Sequence, residues 1–216
     1  MLSPTGGSRA AEARETARIE AFSDGVFAIA VTLLVLNLQV PHNMREDREL
    51  LQALLNQWPS YLAYVTSFAQ ITIMWINHHR LFTVIRRTDT LLLLFNGLLL
   101  LGVTFVPFPT AVLAEYLQRG GAHIASAAYS GTYAVLAVLF NLLWRYAAYK
   151  NRLLDHEADA QLVKAITRAY SFGPPIYVLL FVLAFISVGA CVAMNLAFAI
   201  FWALPSQNPF VRRTSG

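Results

Sequence analysis

RIEAFSDGVFAIAVTLLVLNLQVP, residues 18–41, is the stretch whose reading decides the fold. From Ile19 to Val40 it is long enough to cross a bilayer as a helix, which takes about 20 apolar residues, and it stops at Pro41. Its charges, Arg18, Glu20 and Asp24, all lie at one end. Charges at a span's centre cost about 2.5–3.5 kcal/mol each on insertion scales, so an end position is where a membrane helix tolerates them. On a helical wheel of about 100° per residue, Arg18, Phe22, Ile29, Thr32, Leu33 and Leu36 fall within about 50° of one line. Asp24 points about 120° away from it. One stripe is therefore nearly all aliphatic with a single hydroxyl, and the acid sits on another face.

The rest of the chain has the same solvent. Of 216 residues, 57% are hydrophobic and only 13% charged, against about 25% charged in soluble proteins, and the mean hydropathy is +0.52. A soluble globule lacks the charge to cover its surface at this composition. Six spans would use roughly 120 residues. Cys191, the one cysteine, sits in an apolar run and excludes a disulfide-stapled secreted fold. The net charge of +4 is too small to indicate nucleic acid.

Residues 1–17 are polar, with Gly, Ser and Pro, and read as a disordered cytoplasmic tail. They do not read as a signal peptide, because the following apolar run is too long and lacks a small-residue cleavage site. After Pro41, Leu50, Leu51, Leu54, Leu55 and Trp58 recur at helical spacing, as in an amphipathic helix lying on a membrane. The second span is expected over Ser60–Asn77, ending at Asn77-His78-His79-Arg80. The third runs over Thr90–Tyr116, interrupted by Pro107-Phe108-Pro109, and the fourth over Ala122–Tyr149. Arg168–Leu204 is too long for one span, and a hairpin at Ser187-Val188-Gly189 divides it into spans five and six. The expected fold is an all-α integral membrane protein. Its six-helix domain covers residues 18–204, a cytoplasmic tail covers 205–216, and both termini are cytoplasmic. With that orientation thirteen of the sixteen Lys and Arg are inside, and only Arg45, Arg48 and Arg119 are outside, a strong positive-inside bias.

Arg18-x-x-x-Phe22-Ser23-Asp24, followed by Ala28-Ile29-x-x-Thr32-Leu33-Leu34 and Pro41, resembles the signature of the transmembrane protein 175 family. Trp75-Ile76-Asn77-His78-His79 and Pro107-Phe108-Pro109-Thr110 are similar to that family's pattern in the next two spans. The resemblance covers the six-span layout in a single repeat, as in bacterial members. It implies a potassium-preferring cation channel, a homotetramer in the cell membrane with the first helix of each subunit lining the pore. It places the pore constriction on Ile29, Leu33 and Leu36 and a pore-facing hydroxyl on Thr32. A polar network anchoring the first helix falls on Arg18, Ser23, Asp24, Trp75, His78 and His79. Asp24 is expected to find its donor in a histidine or Arg18, since a carboxylate facing other helices needs one. A histidine paired with a carboxylate titrates in the physiological range, which makes pH-sensitive gating an expectation. No cofactor is expected beyond the permeant K+.

Physically, rings of branched side chains narrow a pore and close it by dewetting. The nearest string to a carbonyl filter, Gly131-Thr132-Tyr133, lacks the flanking pattern. Thr32 hydroxyls are the remaining candidate for replacing a cation's hydration shell. Asn96 reads as bundle glue, Pro107 and Pro109 as a static kink, and Glu115 with Arg119 as a solvated i, i+4 pair. His42 and His123 read as loop residues.

Four other readings compete. A haem or metal enzyme would draw on His78 and His79, but neighbouring helix positions diverge by about 100°, and no His-Glu-x-x-His is present. A secondary transporter predicts broken helices or charges at mid-depth, and the middles of these spans carry no charge. A proton-permeable channel of the same architecture differs from a potassium channel only in the permeant ion. A purely structural membrane protein is the fourth reading.

Overall fold

The computed structural model describes residues 6–155 and 158–203, with side chains over 14–155 and 158–200. The described residues are helical apart from short connections and one isolated bridge, Ile85 to Leu154. In order they form α1 (Gly6–Leu33), which tightens into a 3-10 turn (Leu34–Asn37), α2 (Asp47–Asn56) and α3 (Trp58–Val84). Then come α4 (Thr90–Phe105), α5 (Pro107–Tyr116), α6 (Ala122–Ala148), α7 (Ala160–Ile186) and α8 (Val188–Ala203).

Among the described residues, four stretches are long and apolar enough to cross a membrane: Arg14–Asn37, Thr90–Tyr116, Ala122–Asn151 and Ala160–Ile186. Helix α8 is apolar but short, over Val188–Ile200. Helix α3 has 27 residues, about 40 Å at 1.5 Å each, so length does not disqualify it. Its hydropathy is lowered by Thr66, Ser67, Gln70 and His78, which are buried in the bundle. The core is built on Phe27, Phe82, Tyr129, Tyr133 and Trp144, all almost wholly enclosed.

The break at Pro107 falls where the sequence placed it. Proline lacks the N–H that would continue the ladder and is accepted at a helix start, so α4 and α5 meet at Val106. The hairpin after Ile186 is tighter than expected, with Ser187 alone between α7 and α8.

Three boundaries and the placement of one histidine differ from the sequence reading. Helix α1 begins at Gly6, within the segment read as a disordered tail. Its Ala, Glu and Arg residues are good helix formers, and Thr16 is buried, with its hydroxyl donating to the Arg86 carbonyl at 3.2 Å. Helix α3 continues two turns past Asn77, because Leu81, Phe82 and Val84 still have a core to bury into. Helix α7 starts at Ala160 with Asp159 as its cap, the carboxylate accepting from the Gln161 amide at 2.8 Å. His123 lies in the first turn of α6 and meets the Ala184 carbonyl at 2.7 Å. The tail at 205–216 lies outside the described residues.

The connections after α3 and α6 are pinned together at the end where α1 begins. Amides of Arg86 and Asp155 donate to the carbonyls of Leu153 and Val84, each at 3.0 Å. Arg87 donates to the Leu154 carbonyl at 3.0 Å. Asp89 caps α4 and receives hydrogen bonds from the Tyr146 hydroxyl and Arg152, both at 2.6 Å.

Candidate functional site

Helix α1 has two apolar faces with different surroundings. Ser23, Phe27, Ala30 and Leu34 are at most 2% exposed. On the opposite side Phe22 is 68% exposed, Ile29 58%, Leu33 40% and Leu36 72%. Thr32 and Arg18 are exposed on the same side. The stripe drawn on the wheel is thus the face that the other described residues leave uncovered. Leu36 keeps to it although the helix tightens to a 3-10 turn after Leu33. Thr32 donates its hydroxyl proton to the Ile29 carbonyl at 2.9 Å, which turns the oxygen's lone pairs outward. Gly25 belongs to the same stripe, and a Cβ there would meet nothing within 4 Å.

The buried face is anchored by a directed hydrogen-bond chain. Ser23 donates to the Ile19 carbonyl at 2.8 Å, and the Asn96 amide donates to the Ser23 oxygen at 3.0 Å. Asn96 Oδ1 then faces His78 Nε2 at 2.8 Å. Since Asn96 offers only its oxygen there, the His78 proton sits on Nε2. Phe82 stacks on the His78 ring at 4.6 Å between centroids, and Phe27 tilts against it at 5.5 Å. One side chain on α4 therefore ties α1 to α3.

A second pair of contacts lies on the flank. Trp75 Nε1 donates to Asp24 Oδ1 at 2.8 Å, and His79 Nδ1 pairs with Glu20. Glu20 and Asp24 are i, i+4 on α1; Trp75 and His79 are i, i+4 on α3. Because the two helices run antiparallel, the residues meet as two rungs. His78 is turned about 100° from His79 and so enters the core.

This corrects the expected pairing. Asp24 takes its donor from Trp75; neither histidine nor Arg18 reaches it. Arg18 is exposed and has no partner among the described residues. His78 and His79 belong to different networks. Sequence reasoning placed Asn96 as generic glue and left out Glu20. The signal for Asn96 was an amide alone in a leucine helix. For Glu20 it was the spacing of two acids one turn apart, opposite Trp75 and His79.

Groups of three or more His, Cys, Asp or Glu able to hold a metal do not occur among the described residues.

Comparisons with known proteins identify the family. A sequence profile described as "Endosomal/lysosomal potassium channel TMEM175" matches residues 18–107, which include both faces of α1, Trp75, both histidines and Asn96. A potassium channel of Chamaesiphon minutus is 54% identical over 199 residues, covering 92% of this chain and 98% of that one. A potassium channel of Streptomyces collinus is 43% identical over 200 residues, covering 92% and 96%. A crystal structure of a lysosomal potassium-selective channel TMEM175 homolog from Chamaesiphon minutus superposes with a TM-score of 0.82 at 50% identity, covering 90% of this chain and 99% of that one. With relatives this similar over nearly its whole length, the chain belongs to the TMEM175 family.

Proposed function

We propose that this chain is the subunit of a potassium-conducting channel in the cell membrane, not an enzyme, with ions passing along the uncovered stripe of α1. The observation that carries conduction is the 54% identity, across 92% of this chain, to a potassium channel. The stripe is supported as the ion path by its exposure on a helix whose other face is fully packed.

The six spans in this reading are α1 with its 3-10 turn, α3, α4 with α5, α6, α7 and α8. Both termini are cytoplasmic, the orientation that puts thirteen of sixteen basic residues inside. One helix per chain cannot enclose a pore, so subunits must assemble with cyclic symmetry; the family resemblance makes the number four. Ile29, Leu33 and Leu36 then form successive rings of branched side chains, and such rings close a pore by dewetting. Thr32 supplies oxygen lone pairs at the same level, since its proton is engaged by the Ile29 carbonyl. A ring of these oxygens replaces part of the shell of a weakly hydrated cation. No cofactor takes part.

The test is potassium flux from liposomes holding the purified protein. Flux down the potassium gradient, uncoupled to sodium or protons, is the expected result. Strictly coupled flux would indicate a transporter, and no flux would overturn the proposal. Thr32→Ala should reduce the preference for potassium over sodium, and an unchanged preference would remove Thr32 from the selectivity role.

A further inference from the structure

The basic residues at the cytoplasmic end of the bundle differ in how they are neutralised. Arg152 pairs with Asp89 at 2.6 Å, and Arg86 faces Asp155 at 3.7 Å. Arg87 spends its guanidinium on two backbone carbonyls. Arg145, in the last turn of α6, is held only by neutral groups: Nε donates to Asn141 at 2.7 Å and Nη2 to Ser171 on α7 at 3.0 Å. Ser171 is free to accept because its own proton goes to the Thr167 carbonyl. A guanidinium carries five N–H donors, so Arg145 is fixed at the α6–α7 seam with donors to spare and no counter-charge among the described residues.

Helix α7 adds two more cations there. Lys164, Arg168 and Ser171 fall within about 60° of each other on the helical wheel. Both cations are exposed and have no partner among the described residues. Further along the same side of α7, Val178, Leu179 and Val182 are exposed aliphatics. Three positive groups thus sit at one end of an uncovered apolar face.

We infer that the α6–α7 seam holds the headgroup of an anionic phospholipid, its phosphate on Arg145, Lys164 and Arg168 and its acyl chains along α7. Basic sites between membrane helices on the cytoplasmic side suit such headgroups. The leaflet rests on the orientation proposed above; the binding does not.

The full-length protein in detergent is titrated with phosphatidylglycerol, phosphatidylcholine or inorganic phosphate, and lipid retained per chain is read by native mass spectrometry. Phosphatidylglycerol should bind, and the double variant R145Q/R168Q should weaken it about tenfold or more, at roughly 1 kcal/mol per basic residue. The single variant K164Q, at an exposed and unpartnered position, should weaken it about fivefold, which keeps the test valid if the double variant fails to fold. K150Q, off this stripe, should bind as the parent does. Unchanged binding in both stripe variants would overturn the inference. So would equal retention of phosphatidylcholine, or competition by inorganic phosphate that marks a free-anion site. Potassium flux measured on the same preparations keeps the two readings apart: lost lipid binding with flux intact removes only this site, and lost flux with binding intact removes only the channel.

Discussion

The two faces of α1 are almost equally apolar, yet one is sealed and the other bare. Phe27, Ala30 and Leu34 are closed off by the bundle, while Phe22, Ile29, Leu33 and Leu36 touch little of their own chain. Hydrophobicity alone does not choose between them. The choice is made by the polar residue that accompanies each face. Ser23 shares the inner face and is bonded by Asn96, which is bonded in turn to His78. Turning α1 by half a revolution would leave these buried groups unpaired, at a cost of about 1–3 kcal/mol each. The hydrogen-bond chain therefore fixes the rotation of α1, and the outer stripe is exposed as a consequence.

Substitutions on each face sharpen this contrast. Phe27→Ala should destabilise the protein most, by about 3–5 kcal/mol, as a cavity replaces an enclosed aromatic. Leu33→Ala, six residues on, should stay within about 0.5 kcal/mol. Thermal unfolding in detergent compares them, and equal losses would break the distinction between the faces. Asn96→Leu removes the acceptor of His78 and the donor to Ser23, and should cost about 1–3 kcal/mol in the same assay. A loss as small as that of Leu33→Ala would mean the chain does not hold α1 in place. Trp75→Phe keeps an aromatic side chain and deletes the donor to Asp24, for about 1 kcal/mol at this partly exposed site in the same assay.

The smallest effect is expected at Asp89, outside the spans. Burial acts to raise its pKa, but the Tyr146 hydroxyl, the Leu92 amide and Arg152 outweigh that and hold the carboxyl below its ordinary value. A carboxyl depressed on folding stabilises fully above its unfolded pKa of about 4. That contribution is lost as pH falls through the lower folded value. Unfolding temperature should thus fall more steeply below about pH 4 in the parent than in Asp89→Asn. Parallel acid profiles would show that the cap contributes nothing.

The exposed stripe was legible in the sequence because it depends only on helical periodicity and on which residues share a face. The helix break at Pro107 and the turn after Ile186 were legible for a similar reason, since each is dictated by local chemistry. The partners of the polar residues were not. Asp24 meeting Trp75, and His79 meeting Glu20, follows from the stagger of two antiparallel helices, which no single helix records. Asn96 looked like any lone amide until α4 was placed between α1 and α3. The extent of α3 is not legible because polarity at His78 suggests a membrane boundary in the sequence, whereas it marks a buried hydrogen bond.

Whether the bare stripe faces ions or lipid is decided most directly by Ile29→Cys. Cys191 is buried, so a charged, water-soluble thiol reagent should leave the parent's potassium flux in liposomes unaltered. A cysteine at 29 lining a hydrated path ionises, reacts and carries the reagent's charge into the constriction, and flux should fall sharply after treatment. A variant that conducts normally and neither reacts nor loses flux would place Ile29 in lipid and contradict the α1 pore.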